Sequence, residues 1–122
     1  MRVLDPGTLA WGDYDGNGQF RSLGNLLLNP RVGLLFVDFE QPRRLRVNGR
    51  AVVSAEDPLR ASFVGAQLVV RVTAERIFPN CPRYIHRMQL VEESPYAPAS
   101  GVEPPVPAWK QDPRFRDQLP KR

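Results

Sequence analysis

Cysteine occurs once in this chain of 122 residues, at Cys81, and histidine once, at His86. A single cysteine excludes an internal disulfide framework and agrees with a reducing, cytoplasmic setting. The same shortage excludes a zinc site built from Cys and His, which needs at least three protein ligands. On a helix, the five-residue spacing would hold Cys81 and His86 about 140° apart, poor geometry for a nucleophile and its base. Cys81 is therefore expected to be inert and partly buried. Lysine is nearly as scarce, with Lys110 and Lys121 the only two among 17 basic residues. No run approaches the roughly 18 apolar residues of a membrane span, and residues 1–25 lack the order of a signal peptide. The expectation is a soluble protein with no membrane partner.

What the chain has instead is arginine, which carries its net charge of +4. The planar guanidinium fork suits bidentate recognition of phosphate or carboxylate, so the composition points to an anionic ligand. Nucleic acid is not the expected partner, because the arginine-rich strand described below has no aromatic side chains interleaved on its polar face. A chain this short makes one domain and buries only about two-thirds of its unfolded surface, which favours sharing a core with a second copy.

Along the chain, Arg2-Val3-Leu4 and Thr8 to Trp11 read as strands joined by an Asp5-Pro6-Gly7 turn. Gly12 to Gly18 is a loop by every local signal. Gln19 to Leu28 has helical spacing, with Phe20, Leu23, Gly24 and Leu27 on one face and Arg21, Ser22, Asn25 and Asn29 on the other. That polar face has little solubilising charge and suits a ligand. Asn29-Pro30 ends the helix. Val32 to Phe39 is nearly all apolar, as expected of a strand buried on both faces. Arg44 to Val53 alternates, setting Leu45, Val47, Gly49, Ala51 and Val53 against Arg44, Arg46, Asn48 and Arg50. Asp57-Pro58 caps and opens a short helix to about Phe63, Gln67 to Phe78 is a further strand, and a second helix is expected over Arg83 to Leu90. On such a helix Arg83 and Arg87 share a face. From Ser94 onward the Pro-rich composition predicts an extended tail without regular elements, anchored by Trp109 and Phe115. The domain thus spans 2–93 and the tail 94–122. The fold class is mostly β, a small barrel with peripheral helices.

The chemistry concentrates in one place. Gly16-Asn17-Gly18 opening a helix is an arrangement that binds phosphate through bare amides and the positive end of the helix dipole. It is neither a P-loop nor a dinucleotide fingerprint. Arg21 and Ser22 on the first turn, together with the Arg44 and Arg46 row, strengthen the anion reading.

Taken as a set, Arg2 to Asp5, Thr8 to Ala10, Asp13 to Asn17, Arg21 to Leu26, Asn29 to Phe36, Leu45 to Ala51, Glu75 to Phe78 and Asn80 to Arg87 resemble the pyridoxamine 5′-phosphate oxidase-related, FMN-binding split-barrel family. The resemblance covers about residues 2 to 90. It implies a six-stranded split β-barrel and a homodimer holding two FMN sites at the subunit interface. Members of the family are oxidases, reductases, users of deazaflavin F420 and some haem binders. Cofactor contacts are therefore expected from Trp11, Gly12, Asp13, Tyr14, Asn17, Gly18, Arg21, Ser22, Asn25, Arg44 and Arg46, with Arg83 and Arg87 reaching the second subunit or a small-molecule substrate. Ser22 stands where relatives have a lysine, and Arg44 where the oxidase has a ring-contacting glutamine. Relatives also carry a helix and one or two strands ahead of the position of Arg2, so the expected barrel lacks its first strand or strands. The implied activity is an FMN-dependent oxidoreductase. The alternative is a non-catalytic dimer of the same fold that binds F420 or haem, or no cofactor.

Overall fold

The computed structural model describes residues 1–119; the last three positions of the expected tail, including Lys121, lie outside them. Five strands form one antiparallel sheet: β1 (Arg2–Asp5), β2 (Thr8–Asp13), β3 (Arg31–Asp38), β4 (Arg43–Ser54) and β5 (Leu68–Asn80). Their order is β1-β2-β5-β4-β3. The two edge strands, β1 and β3, are not paired with each other, so the ring of hydrogen bonds is split rather than closed. The mostly β expectation holds, with five strands among the described residues where the family resemblance implied six.

The turn at Asp5-Pro6-Gly7 is closed by the Gly7 amide donating to the Asp5 side chain at 2.8 Å. Alternation along β4 then sorts the sheet into two faces. On the first face Ala51, Val70 and Val72 are buried together with Leu23 of helix α1 (Arg21–Leu28), and Leu9, Trp11, Leu26, Val32, Leu34, Val53 and Leu68 complete that core. On the second face Ala10 and Val69 pack with Phe63, which follows a 3₁₀ turn at Pro58–Ser62. That turn starts as expected: the Asp57 side chain accepts from the Leu59 amide at 2.8 Å and Pro58 takes the first helical position.

The long β4–β5 pairing carries a bulge. Asn48 faces Arg76 and Gly49 faces Ala74, leaving Glu75 as the extra residue. Gly49 has no substitute there, because a Cβ would collide with the Thr73 carbonyl oxygen and lie 3.1 Å from the Ala74 α-carbon.

Several expectations are corrected. Residues 83–90 form no helix: Tyr84 has φ of +69°, and the segment is held by a bond from the Met88 amide to the Phe39 carbonyl at 2.9 Å. Arg83 and Arg87 therefore share no helical face, and Cys81 is exposed rather than partly buried. Strand β3 is not buried on both faces, since Leu35 is 50% exposed as expected of an edge strand in a single subunit. The tail is not uniformly extended either. It contains α2 (Ala108–Gln111) and α3 (Pro113–Arg116), the second opened by Asp112, whose side chain accepts from the Arg114 amide at 2.9 Å. Trp109 and Phe115 meet edge to face across these two turns, centroids 6.4 Å apart. No helix among the described residues is long and apolar enough to cross a membrane.

Candidate functional site

The end of β2, the loop after it and the start of α1 enclose a cavity of about 1230 Å³. Its position follows from how the loop enters the helix. The Asn17 side chain accepts from the Gln19 amide at 3.1 Å, Gly18 adopts φ of +73° and Phe20 φ of +46°. Two left-handed residues so close together swing the chain sharply outward. The non-glycine Phe20, 39% exposed, carries strain of order 1–3 kcal/mol in this conformation. Phe20 is the cap residue, its carbonyl accepting from the Gly24 amide at 2.7 Å. Among the described residues the cap residue gives the helix no side-chain hydrogen bond, and no acidic residue lies in its first turn. The first-turn amides and the positive dipole end thus lack the side-chain partners a surface helix normally has, which suits an anion.

Leu23 is buried against the sheet and fixes the rotation of α1, so Arg21, Ser22 and Asn25 remain on its accessible side. All three line the cavity, as do Trp11, Asp13, Tyr14, Asn17 and Gly18. Eight of the thirteen residues singled out from the sequence are therefore brought together. Val32, Leu34, Leu23 and Leu26 give the cavity an apolar wall. Its charge is mixed: Arg21, Arg60 and Lys110 line it beside Asp13 and Asp15. Partial burial pushes the Asp13 carboxyl above its ordinary range.

Five residues lie elsewhere. Gly12 is buried on the opposite side of β2, where a Cβ would come within 2.7 Å of Ala66 and 2.9 Å of Phe63. Its small size lets the 63–66 segment close on the sheet. Arg44 and Arg46 do not line the cavity; they stand on the face of β4 away from α1, where Arg44 donates to the Arg83 carbonyl at 3.2 Å. Arg31 is opposite Arg50 on this face, and Leu35 and Phe78 flank Arg46. Arg83 and Arg87 are exposed in the irregular segment after β5.

Several cavity residues carried no sequence signal that local patterning detects. Gln67 is held beside the site by its amide, which donates to the Asp13 carbonyl at 2.8 Å, and Arg60 arrives on the 3₁₀ turn. Lys110 and Leu119 come from the C-terminal segment. The one clue to Lys110 was its position next to Trp109 in a chain with only two lysines.

A cavity this large, with an uncapped helix start and Arg21 on one side and Trp11, Tyr14 and aliphatic groups on another, fits a ligand with an anionic end and a broad apolar body. FMN is such a ligand, and the residues present fit it.

A family model described as pyridoxamine 5′-phosphate oxidase matches residues 1–98. Two crystal structures of HupZ from Group A Streptococcus, carrying V5 and hexahistidine tags, share the fold. One is 23% identical, covering 73% of this chain and 74% of that one with a TM-score of 0.53. The other, a histidine-to-alanine variant, is 25% identical, covering 66% and 72% with a TM-score of 0.52. No curated protein matches the chain.

Proposed function

The chain belongs to the pyridoxamine 5′-phosphate oxidase family, and from that premise we propose that it is an FMN-dependent oxidoreductase acting as a homodimer on a small-molecule substrate. The observation that carries this reading is the cavity joining the uncapped start of α1, with Arg21 and Ser22, to Trp11 and Tyr14 at the end of β2. Bound flavin supplies hydride or electron transfer, chemistry no side chain in the cavity performs. The chain's own contribution is to bind and orient. Arg21 and the first-turn amides anchor the phosphate, the Ser22 hydroxyl adds a donor, and Trp11 and Tyr14 border the ring system. Val32, Leu34 and Leu26 limit water on the apolar side.

Dimerisation is supported by the face of the sheet away from α1. There Arg31, Arg46, Arg50 and Arg76 are exposed beside Leu35, Val52 and Phe78, which are 50%, 67% and 37% exposed. A second copy on this face covers that apolar surface.

One observation favours a non-catalytic ligand-binding dimer instead. Asp13 and Asp15 line the same cavity as Arg21, which weakens its hold on a phosphate. The visible absorbance spectrum of the purified protein, recorded before and after adding FMN, separates the two. Flavin bands that survive gel filtration support the oxidoreductase reading, a haem band supports a haem-binding dimer, and a featureless spectrum after FMN addition overturns the first reading.

A further inference from the structure

Lys110 is brought to the cavity from outside the barrel. It lies in α2, yet its Nζ donates to the Asp15 carboxylate at 2.6 Å across 95 residues of sequence, and its side chain is only 11% exposed. The same ammonium sits 5.5 Å from the Trp109 ring centroid. Lys110 lines the cavity that holds Arg21, and so does Leu119 from the end of the same segment. On its other side the segment helps enclose a second cavity, with Tyr14 and Asp15 in the wall common to both.

We propose that the C-terminal segment is a working part of the cofactor site, with Lys110 as a second cation for the ligand's phosphate, poised by Asp15. This rests on the flavin reading above. Among the described residues that line the cavity, two arginines stand beside two carboxylates without Lys110, and with it cations are in excess. An ammonium has three donors, so one can stay on Asp15 while another meets a phosphate oxygen. Its low exposure leaves little water to displace when an anion arrives, so the contact is worth more than a solvated surface pair. A lysine on a segment that packs across the loop also ties ligand binding to closure of the tail: a phosphate in the cavity holds the tail down, and the tail completes the phosphate site.

The competing role for Lys110 is to fasten the tail to the loop and nothing more, and the two roles predict opposite behaviour in one pair of variants. The full chain, Lys110→Met and Asp15→Asn are titrated with FMN and with riboflavin, which lacks the phosphate, and folding is checked by circular dichroism. If Lys110 binds phosphate, Lys110→Met weakens FMN about tenfold. Riboflavin stays within about twofold, and Asp15→Asn holds or improves FMN affinity by removing a nearby negative charge. Unchanged FMN affinity in Lys110→Met, or equal losses in both variants, overturns the proposal and leaves the flavin reading standing. A full chain that binds neither flavin overturns the flavin reading itself. Inorganic pyrophosphate, followed by tryptophan fluorescence, then decides the role of Lys110: a response abolished by Lys110→Met supports it, and one retained or absent from the outset contradicts it.

Discussion

Arg71 grips Asp57 with two nitrogens: Nε and Nη2 both donate to the carboxylate, the latter at 3.0 Å, while the same carboxylate caps the 3₁₀ turn through the Leu59 amide. One side chain thus ties the start of the 3₁₀ turn to the first part of β5. Chiefly the hydrogen bond from Arg71, and also that from Leu59, holds the Asp57 carboxyl below its ordinary value. Because the folded state depresses this pKa, the associated stability is fully present above the unfolded value of about 4 and is lost as pH falls through the folded one. Asp57→Ala is expected to cost about 1–2 kcal/mol at pH 7, the scale of a lost helix cap. In urea denaturation the gap between wild type and variant narrows below about pH 4; a gap that does not change with pH counts against this role.

Gly49 is fixed by the bulge. Gly49→Ala forces a methyl group into the Thr73 carbonyl, and the β4–β5 backbone must separate to admit it. The expected loss is about 1–3 kcal/mol or more, as for other overpacked sites, read from thermal or urea midpoints. An alanine variant as stable as wild type would contradict the bulge geometry.

Asp13 carries the opposite pH signature to Asp57. Its carboxyl is pushed up by burial, so its ionised form costs stability above the folded pKa, and that cost disappears as pH falls through it. Asp13→Asn is expected to be more stable than wild type at pH 7 and to lose this advantage in acid. By removing a negative charge from the cavity it also strengthens binding of a phosphate-bearing flavin by about 1 kcal/mol, roughly fivefold. Weaker FMN binding by a folded Asp13→Asn protein would show that the carboxylate makes a direct contact with the ligand.

Arg21 separates phosphate from ring. Arg21→Ala should weaken FMN by about 1–2 kcal/mol, the scale of a charge-assisted hydrogen bond, and leave riboflavin unaffected. Equal loss for both ligands would place Arg21 beside the ring instead.

How much of this was legible depended on the range of the interactions. The alternation of Val47, Ala51 and Val53 with Arg46 and Arg50 reports one-sided burial directly, so most of β4 and the polar face of α1 were readable from the sequence; at its start the pattern breaks, with Leu45 exposed and Arg44 half-buried. The expected helix at Arg83 to Leu90 failed because its spacing had no core to bury against, and the chain instead bonds Met88 to the exposed β3–β4 turn. Asp112-Pro113 repeats the Asp57-Pro58 signature in full, and α3 was missed only because the surrounding prolines outweighed it. The placement of Arg44 and Arg46 outside the cavity depends on which strands flank β4, which periodicity within one strand does not report. The Lys110–Asp15 contact is of the same kind: a 95-residue closure leaves no local pattern.

On the proposed reading the cavity beside Arg21 takes FMN. Calorimetric titration of the purified full chain with FMN tests it most directly. Saturable binding in the micromolar range or tighter, about −8 kcal/mol or better, at one FMN per chain is the expected result. No heat of binding from a folded protein, or FMN binding that is unchanged when both Arg21 and Lys110 are replaced, would contradict it.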